Sequence, residues 1–321
     1  MRAEPAAPEP RKVVAITGAT GFVGSLLAKA LCKEGAVVRV LTRDVAAARR
    51  KLPSWDYGPA PLQFFNEADW TSGVRGATHV VNLAGEPISS RWTPAVKQAI
   101  LHSRVNATNR LVAALRACAA EERPGVMVSA SAVGFYGSSA SARFDESSSS
   151  GSDYLSSVCR EWEAAAAPAA EELGARLVVL RMGIVLDRGG GALAKMAPVF
   201  QIFAGGPLGD GRQWFSWIHR DDAVGILMKA LSDDSVVGVY NATAPRPVRM
   251  NELCNSLGAV MGRPAWLPVP EFAIQALLGE GAKVVLEGQQ VLPTRTLGIY
   301  SFKYETVTAA LRQVVGGAAP R

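Results

Sequence analysis

Three glycines near the start of the chain stand at a spacing that could hold a phosphate. Gly18, Gly21 and Gly24 form a G-x-x-G-x-x-G pattern between an apolar run at 13–16 and a helical pattern that begins near Phe22. Glycines in this position permit a tight turn, close approach of backbone N–H groups to a pyrophosphate, and close packing of the helix. The helix N-terminus adds partial positive charge. The pattern therefore predicts a dinucleotide site. The residues expected to contact the dinucleotide are Thr17, Gly18, Thr20, Gly21, Phe22, Val23 and Gly24.

The end of the second apolar run distinguishes two forms of the dinucleotide. An NAD site has a carboxylate here that accepts from the ribose 2′-OH, whereas an NADP site needs a cation for the 2′-phosphate. The sequence reads Leu41-Thr42-Arg43-Asp44, so Thr42 occupies the expected acidic position and Arg43 follows it. We therefore predict NADP. Asp44 keeps NAD open if the strand register differs by two residues.

The elements that must position these residues alternate regularly along the chain. Short apolar runs, each suited to one buried strand, stand at 13–16, 37–41, 62–65, 79–83, 126–129 and 177–180. Helical patterns separate them. Continuous apolar strands alternating with helices predict an α/β fold, a doubly wound parallel Rossmann sheet with helices on both faces.

The rhythm changes after Gly183 to segments rich in glycine, proline and aromatic residues, as is typical of a smaller substrate lobe. We expect a disordered tail at 1–10, an NADP-binding Rossmann domain at 11–186 and 214–243, and a substrate-binding lobe at 187–213 and 244–316. The small residues Leu83, Ala84 and Gly85 end the fourth strand and suit the adenosine half of the cofactor. Glu86 and Arg91 follow at the same sheet edge, where Glu86 is an alternative proton donor.

Composition limits the other classes of function. The chain has 321 residues, 49% of them hydrophobic, with a net charge of +6 but no run of five Lys or Arg, so no nucleic-acid surface is predicted. The four cysteines form no CxxC pair and the three histidines lack zinc-like spacing, so we expect reduced thiols and no metal. No apolar stretch approaches the roughly 18 residues of a membrane span, so we expect a soluble protein. The expected compartment is the cytoplasm, or the chloroplast stroma if a transit peptide has been removed.

Several collinear segments resemble one known group of proteins. They are TGATGFVG, NLAGEPI, SRVNATNRLV, SASAVGFYG, VCREWEAAA, GRQWFSWIH and the stretch at 290–293. Over residues 12–311 the chain resembles the extended short-chain dehydrogenase/reductases, and within them an uncharacterised epimerase-family branch. The resemblance implies a Rossmann fold, an NAD(P) cofactor and a C-terminal lobe that closes over it.

The resemblance also implies a catalytic serine and tyrosine, with a lysine four residues after the tyrosine. It places the serine at Ser131 and the tyrosine at Tyr154, but Val158 stands where the lysine would be. The lysine matters because an unperturbed phenol, with a pKa of about 10, is a poor base without a nearby cation. Arg160 lies on another helix face and cannot simply replace it. The branch that the chain resembles lacks this lysine too.

Two functions follow from this departure. The first is an NADP(H)-dependent oxidoreductase or epimerase acting on a small polar substrate. The second is an NADP-binding protein that has lost catalysis and serves a regulatory or scaffolding role. A homodimer through the two long helices, or another protein partner, is compatible with either, although Pro168 interrupts the Ala-rich stretch at 164–170.

The remaining candidates also come from the resemblance. Arg104 is expected to bind the cofactor, and Asn106 is either a support for the site through water or an exposed helix amide. Ile184 or Val185 is expected to donate a backbone N–H to the nicotinamide amide. The glycines at 189–191 and 205–206 suit a lid. His219, followed by two aspartates, suggests either an acid/base pair or a capped helix start, and we favour the cap.

Overall fold

The computed structural model describes residues 12–53, 56–57 and 62–316. The expected disordered tail at 1–10 lies outside the described residues. The strands are β1 Val13–Thr17, β2 Val37–Leu41, β3 Leu62–Phe65, β4 His79–Asn82, β5 Val126–Ala132, β6 Arg143–Phe144, β7 Arg176–Met182, β8 Ile184–Leu186, β9 Trp214–Phe215, β10 Trp217–His219, β11 Gly238–Ala242, β12 Val248–Arg249 and β13 Gln290–Val291. The α-helices are α1 Phe22–Lys33, α2 Val45–Lys51, α3 Trp70–Val74, α4 Pro94–Arg116, α5 Tyr154–Ala166, α6 Pro168–Glu171, α7 Gly191–Gln201, α8 Arg220–Ser232, α9 Met250–Met261, α10 Glu271–Leu278, α11 Lys283–Leu286 and α12 Val307–Val315.

Seven strands form one parallel sheet in the order β11-β7-β5-β4-β1-β2-β3. The chain builds outward from β1 in one direction and then from β4 in the other, so the strand order reverses between these two strands. A crevice opens at the carboxyl ends of the strands on either side of such a reversal, and ligands bind there in doubly wound folds. The predicted Rossmann architecture is confirmed.

Helices cover both faces of the sheet because its strands are apolar on both sides. Leu27 of α1 and Ile226 of α8 are fully buried in the core on one face. Leu111 of α4 and Met127 of β5 are fully buried in the core on the other face. Each such side chain contributes about 1.5–3 kcal/mol on burial. The long apolar runs of the sequence thus form the floor beneath the crevice.

The Ala-rich helical stretch that follows Tyr154 is interrupted at Pro168. α5 ends at Ala166, and Pro168 starts the short helix α6. A proline cannot donate the backbone hydrogen bond that would continue α5, but it is well suited to the first turn of a new helix.

The smaller lobe has its own core, which α7, α9 and α12 build around Leu253, Leu257 and Leu311. It joins the sheet region through short pairings, since β8 runs parallel to β10 and β13 parallel to β6. The domain boundaries given above remain predictions. Among the described residues, no helix is long and apolar enough to cross a membrane.

All four cysteines are buried and free of disulfides. They are Cys32, Cys118, Cys159 and Cys254. Burial raises the pKa of the Cys159 thiol to about 11 and that of Cys254 to about 12. These thiols therefore stay protonated and unreactive at neutral pH while the protein is folded.

Candidate cofactor and active site

The glycine loop between β1 and α1 is packed too tightly to accept side chains. Gly18 has a φ of +70°, and a Cβ there would lie 2.5 Å from the carbonyl carbon and oxygen of Leu83. A Cβ on Gly24 would lie 2.2 Å from the Gly18 carbonyl oxygen. Gly24 therefore permits the predicted close packing of α1, which here is against the backbone of the loop. Gly21, exposed, leads into α1, whose first turn carries no acidic residue. This arrangement fits a dinucleotide pyrophosphate, since backbone N–H groups and partial positive charge meet at an accessible helix start.

The side chain of Thr17 takes part in a buried hydrogen-bond network behind this loop. Its Oγ1 donates to Asn82 Oδ1 at 2.7 Å. Asn82 Nδ2 in turn donates to Thr108 Oγ1 at 2.8 Å and to Ser129 Oγ at 3.1 Å. The network ties β1, β4, β5 and α4 together at the point where strand order reverses. Thr17 was expected to contact the cofactor, but its hydroxyl is hydrogen-bonded to Asn82 behind the loop.

The remaining loop residues line the outer part of the crevice. Thr20, Phe22 and Val23 are partly exposed. The Phe22 ring lies 2.7 Å from where a Cβ on Gly190 would stand, so the predicted lid segment at 189–191 rests against the glycine loop. Lys195 of α7 makes a separate contact with the segment after β4, because its Nζ donates to the Ser89 hydroxyl at 2.6 Å. Sequence reasoning missed the contact between Lys195 and Ser89, which has no local signal.

The residues that follow β2 bear on the choice between NAD and NADP. Arg43 follows β2 as predicted, is highly exposed, and its Nη2 lies 3.2 Å from Glu86 Oε1. Asp44 caps α2 by accepting from the Ala47 N–H at 2.8 Å. A capping carboxylate is committed to its helix, which counts against the NAD alternative based on Asp44. Arg43 is therefore the charged group beside the crevice that an anionic ribose substituent would meet.

The segment after β4 forms the opposite wall of the crevice. The Leu83 N–H donates to the Thr17 carbonyl at 3.1 Å, and Ala84 lies next to Gly18. Gly85 lies against Arg104, since a Cβ at Gly85 would be 3.1 Å from the guanidinium carbon. Leu83, Ala84 and Gly85 thus face the glycine loop on one side and α4 on the other.

Arg104 projects from α4 into this wall. Its Nη1 donates to the Ile100 carbonyl at 2.9 Å and its Nη2 to the Glu86 carbonyl at 3.0 Å. The guanidinium carbon lies 5.2 Å from the centre of the Trp162 ring. Burial lowers the pKa of Arg104, although an arginine remains charged at any physiological pH. Asn106, two residues on, is exposed, as the helix-amide interpretation expects.

Ser131 is held away from the crevice surface. Its side chain is buried, and its Oγ donates to Glu163 Oε1 at 2.6 Å. Glu163 also accepts from Nε and Nη2 of Arg181, each at 2.8 Å, and Arg181 Nη1 donates to the Tyr136 hydroxyl at 3.0 Å. Sequence reasoning missed this buried ion pair, because Glu163 and Arg181 come from separate elements, α5 and β7.

Tyr154 is the first residue of α5 and faces α4. Its hydroxyl donates to the Lys97 carbonyl oxygen, and the Lys97 ammonium lies 4.6 Å from its ring centre. Trp92 packs edge-on at 5.3 Å. Burial raises the pKa of Tyr154 above its ordinary value, and the charge of Arg104 acts in the opposite direction. Ser131 and Tyr154 therefore have separate partners, and no hydrogen bond between them occurs in the described part of the chain.

Val158, at the position of the absent lysine, is buried with Trp92 and Ile100 in a small apolar cluster. A lysine ammonium at this point would lose its hydration among apolar side chains. Arg160 points elsewhere, donating to the Gly151 carbonyl at 2.7 Å, which agrees with the expectation that it does not replace the lysine.

The two remaining candidates are engaged in backbone structure. The Ile184 N–H donates to the Ser216 carbonyl at 2.8 Å, so this group is already bonded, and the predicted contact with a nicotinamide amide falls to Val185. His219 caps α8, its Nδ1 accepting from the Asp221 N–H at 3.0 Å while Nε2 lies 2.8 Å from Gln313 Oε1. The preferred cap is confirmed, although the capping side chain is the histidine itself.

The fold and the glycine loop define the class of protein, an extended short-chain dehydrogenase/reductase with a Rossmann sheet and a smaller C-terminal lobe. Comparison with known proteins gives the family: residues 14–242 match the NAD dependent epimerase/dehydratase family, and residues 269–314 match a domain of unknown function, DUF1731. The chain belongs to the NAD dependent epimerase/dehydratase family.

Three similar proteins illustrate the range of this family. The chloroplastic epimerase family protein SDR39U1 homolog of Arabidopsis thaliana is 50% identical over 308 residues, which cover 96% of this chain and 88% of the relative. The crystal structure of human SDR39U1 with NADPH superposes with a TM-score of 0.84 at 34% identity, covering 95% of this chain and 100% of that one. UDP-glucuronic acid 4-epimerase from Bacillus cereus, solved with UDP-glucuronic acid and NAD, has a TM-score of 0.76 at 17% identity, covering 94% and 97%. The last comparison shows the fold alone.

Proposed function

We propose that this protein binds NADP(H) and acts as an oxidoreductase or epimerase on a small polar substrate. The observation that carries the proposal is the glycine loop, whose backbone leaves no room for a Cβ at Gly18 or Gly24 and whose helix start opens into the crevice. A nicotinamide cofactor supplies hydride transfer when bound, and the protein has to hold it and exclude water. The human relative solved with NADPH supports the same cofactor here.

The residues that would hold the cofactor lie on both walls of the crevice. Backbone groups of the glycine loop would meet the pyrophosphate, and Arg43 would meet the 2′-phosphate. The remaining members of the proposed set are Leu83, Ala84, Gly85 and Arg104, with Val185 in place of Ile184, whose N–H is already bonded to Ser216. Tyr154 would be the proton donor or acceptor for the substrate, with Ser131 as the residue that orients it, once its hydroxyl is released from Glu163.

A second function, an NADP-binding regulatory or scaffolding subunit without catalysis, is favoured by one observation. Ser131 and Tyr154 are each bonded to other groups, Glu163 and the Lys97 carbonyl respectively, and Val158 replaces the lysine. Turnover of NADPH with a panel of carbonyl compounds supports the first function. A stable protein partner together with no turnover supports the second.

Calorimetric titration of NADPH and NADH tests the cofactor proposal. We expect NADPH to bind more tightly than NADH, because only NADPH carries the 2′-phosphate. Arg43→Ala should lower NADPH affinity by at least about tenfold, the usual loss of a charge-assisted hydrogen bond, and leave NADH affinity unchanged. Arg50→Ala, on the exposed side of the adjacent helix, is the matched control and should alter neither. An equal loss of both affinities in Arg43→Ala, or no loss, would refute the assignment.

Compartment and assembly stay predictions. The name of the Arabidopsis relative, which includes the word chloroplastic, supports the stroma over the cytoplasm as the compartment. Fluorescence of a full-length fusion in plant cells would decide between them. The expected homodimer is checked by sedimentation, in which a monomer at all concentrations would exclude it.

A further inference from the structure

Arg104 is a partly buried cation that forms no ion pair in the described part of the chain. Its two hydrogen bonds go to the carbonyl groups of Ile100 and Glu86, and the Glu86 carboxylate, which acts on it, is paired with Arg43. A guanidinium has five N–H donors, and charges removed from water are normally paired with an opposite charge. An unpaired arginine at the edge of a ligand crevice therefore points to a group that becomes negative during function.

The surroundings of Arg104 identify that group. Its guanidinium lies over Trp162 of α5, and Trp162 follows Val158 by one helical turn and Tyr154 by two. Residues four apart in a helix share one face, so Arg104 approaches the face of α5 on which the missing lysine would stand. The charge of Arg104 thus comes from α4 to the same side of α5.

Gly85 supports this position. A Cβ on residue 85 would lie 3.1 Å from the Arg104 guanidinium carbon, closer than most such contacts. The wall after β4 therefore has to be small here for the guanidinium to remain between that wall and Trp162. The same glycine keeps Arg104 next to the crevice in which the cofactor and substrate would meet.

Lys97 also lies beside the ring of Tyr154, but the negative charge of Glu280 offsets its positive charge. Its Nζ lies 2.9 Å from Glu280 Oε1 and 3.1 Å from Oε2. Glu280 of the lobe and Glu161 of α5 are the other charged groups that act on Tyr154, and both are negative. Arg104 also acts on Tyr154, and it forms no ion pair in the described residues, because Glu86, the carboxylate near it, is paired with Arg43.

We propose that Arg104 is the cation that acts on Tyr154 in place of the lysine that Val158 displaces. The inference rests on the proposed function, in which Tyr154 exchanges a proton with the substrate. Arg104 is a positioning residue in this proposal, because it stabilises the phenolate without touching the reacting atoms. Unlike a lysine it cannot relay a proton, so proton exchange would have to pass through solvent or the substrate.

The test measures ionisation of Tyr154 directly. Replacing Tyr154 by 3,5-difluorotyrosine, whose phenol ionises near neutral pH, lets ¹⁹F NMR follow this one residue through a mild pH titration. We expect Arg104→Gln and Arg104→Met to raise the phenol pKa by about one pH unit, as loss of a nearby opposite charge does. Arg104→Met keeps the apolar stem against Trp162, and Arg104→Lys should restore most of the effect. Far-UV circular dichroism checks that each variant folds.

The matched control removes Lys97 and Glu280 together, as the double variant Lys97→Met, Glu280→Gln. This change leaves the net charge the same, and it should not raise the phenol pKa, because Glu280 itself acts to raise it. An equal rise in the double variant, or no rise in the two neutral Arg104 variants, would overturn the proposal. NADPH affinity is measured on the same proteins. Absence of NADPH binding to the wild type would defeat the proposed function, whereas the phenol titration judges Arg104 on its own.

Discussion

At the scale of single residues, the ion pair between Arg43 and Glu86 is expected to influence how tightly NADPH binds in the crevice. Both side chains are well exposed, so their attraction is worth only about 0–1 kcal/mol. A 2′-phosphate would compete with the Glu86 carboxylate for the same guanidinium and would also be repelled by it. Glu86 is therefore expected to weaken NADPH binding, in addition to the proton-donor role considered for it from sequence.

Glu86→Gln should tighten NADPH binding about two- to fivefold, in proportion to the strength of an exposed ion pair. The backbone should stay in place, because the Glu86 N–H donates to Ser103 Oγ and its carbonyl accepts from Arg104. Calorimetry at low and high salt measures the effect, which should shrink as salt screens the charges. Weaker NADPH binding in this variant would contradict the competition argument. Unchanged turnover of an identified substrate would exclude Glu86 as the proton donor.

The residues that sequence could predict are those whose chemistry is local. The glycines of the loop and Arg43 stand next to the strands that position them, so spacing alone located them. The triplet Ser131, Glu163 and Arg181 could not be found this way, because its members come from β5, α5 and β7. Their contact exists only after β5 and β7 pair in register.

At the scale of elements, α8 depends on the ionisation of its capping histidine. His219 is fully buried, its Nδ1 accepts a backbone N–H, and its ring lies 3.9 Å from Tyr304. Burial lowers the pKa of His219 below its ordinary value, although Gln313 and the nearby aspartates act in the opposite direction. The unfolded chain therefore binds a proton at higher pH than the folded chain does. Stability from the neutral ring is full above the unfolded pKa of about 6.5 and is lost as pH falls toward the folded pKa.

His219→Asn should remove part of this pH dependence, since asparagine also caps helices but does not titrate. Urea unfolding at about pH 7.5 and about pH 5.5 should show a wild-type loss of about 1 kcal/mol that is smaller in the variant. His102→Gln, at an exposed position with no comparable contacts, is the control and should behave as wild type. His79 also has a pKa lowered by burial, so some dependence on pH should remain. A variant that loses as much stability as wild type would show that His219 is not the titrating group.

The strand predictions were confirmed where the sequence has apolar runs of four or more residues. All six strands expected from such runs are strands of the main sheet, which the sequence pattern could show because a buried strand needs little else. The pairings of β8 with β10 and of β12 with β9 join strands of two or three residues. Such short strands carry no periodicity, so the lobe was predicted only as a change in composition.

At the scale of the whole molecule, hydrogen bonds join the lobe to the segment after β4, which forms one wall of the crevice. Arg91 Nη1 donates to the Ala276 carbonyl at 2.8 Å, and Lys97 pairs with Glu280. On the other side Lys195 reaches Ser89. The wall that would contact the cofactor is therefore the same segment that holds the lobe.

Lys195→Met should loosen this fastening without unfolding either part, because the contact is exposed. We expect faster hydrogen–deuterium exchange in residues 86–93 and in α7, with no change in the sheet. Lys229→Met is the control, since Lys229 of α8 forms an ion pair with Asp233, the C-cap residue of the same helix, and contacts neither the wall nor the lobe through it. Exchange that rises equally in the control, or not at all in Lys195→Met, would show that Lys195 does not hold the lobe to the wall.

The four buried thiols allow the local opening of each region of the molecule to be measured separately. Cys32 lies near the C-terminal end of α1, the helix that begins at the glycine loop, Cys159 on α5 near Tyr154, and Cys254 in the core of the lobe, while Cys118 follows α4. A thiol reagent can modify each one only when its element separates from the core, because burial shields the sulfur. Mass spectrometry of labelled protein therefore yields a separate opening rate for each region, and cofactor binding should slow Cys32 and Cys159 more than Cys254.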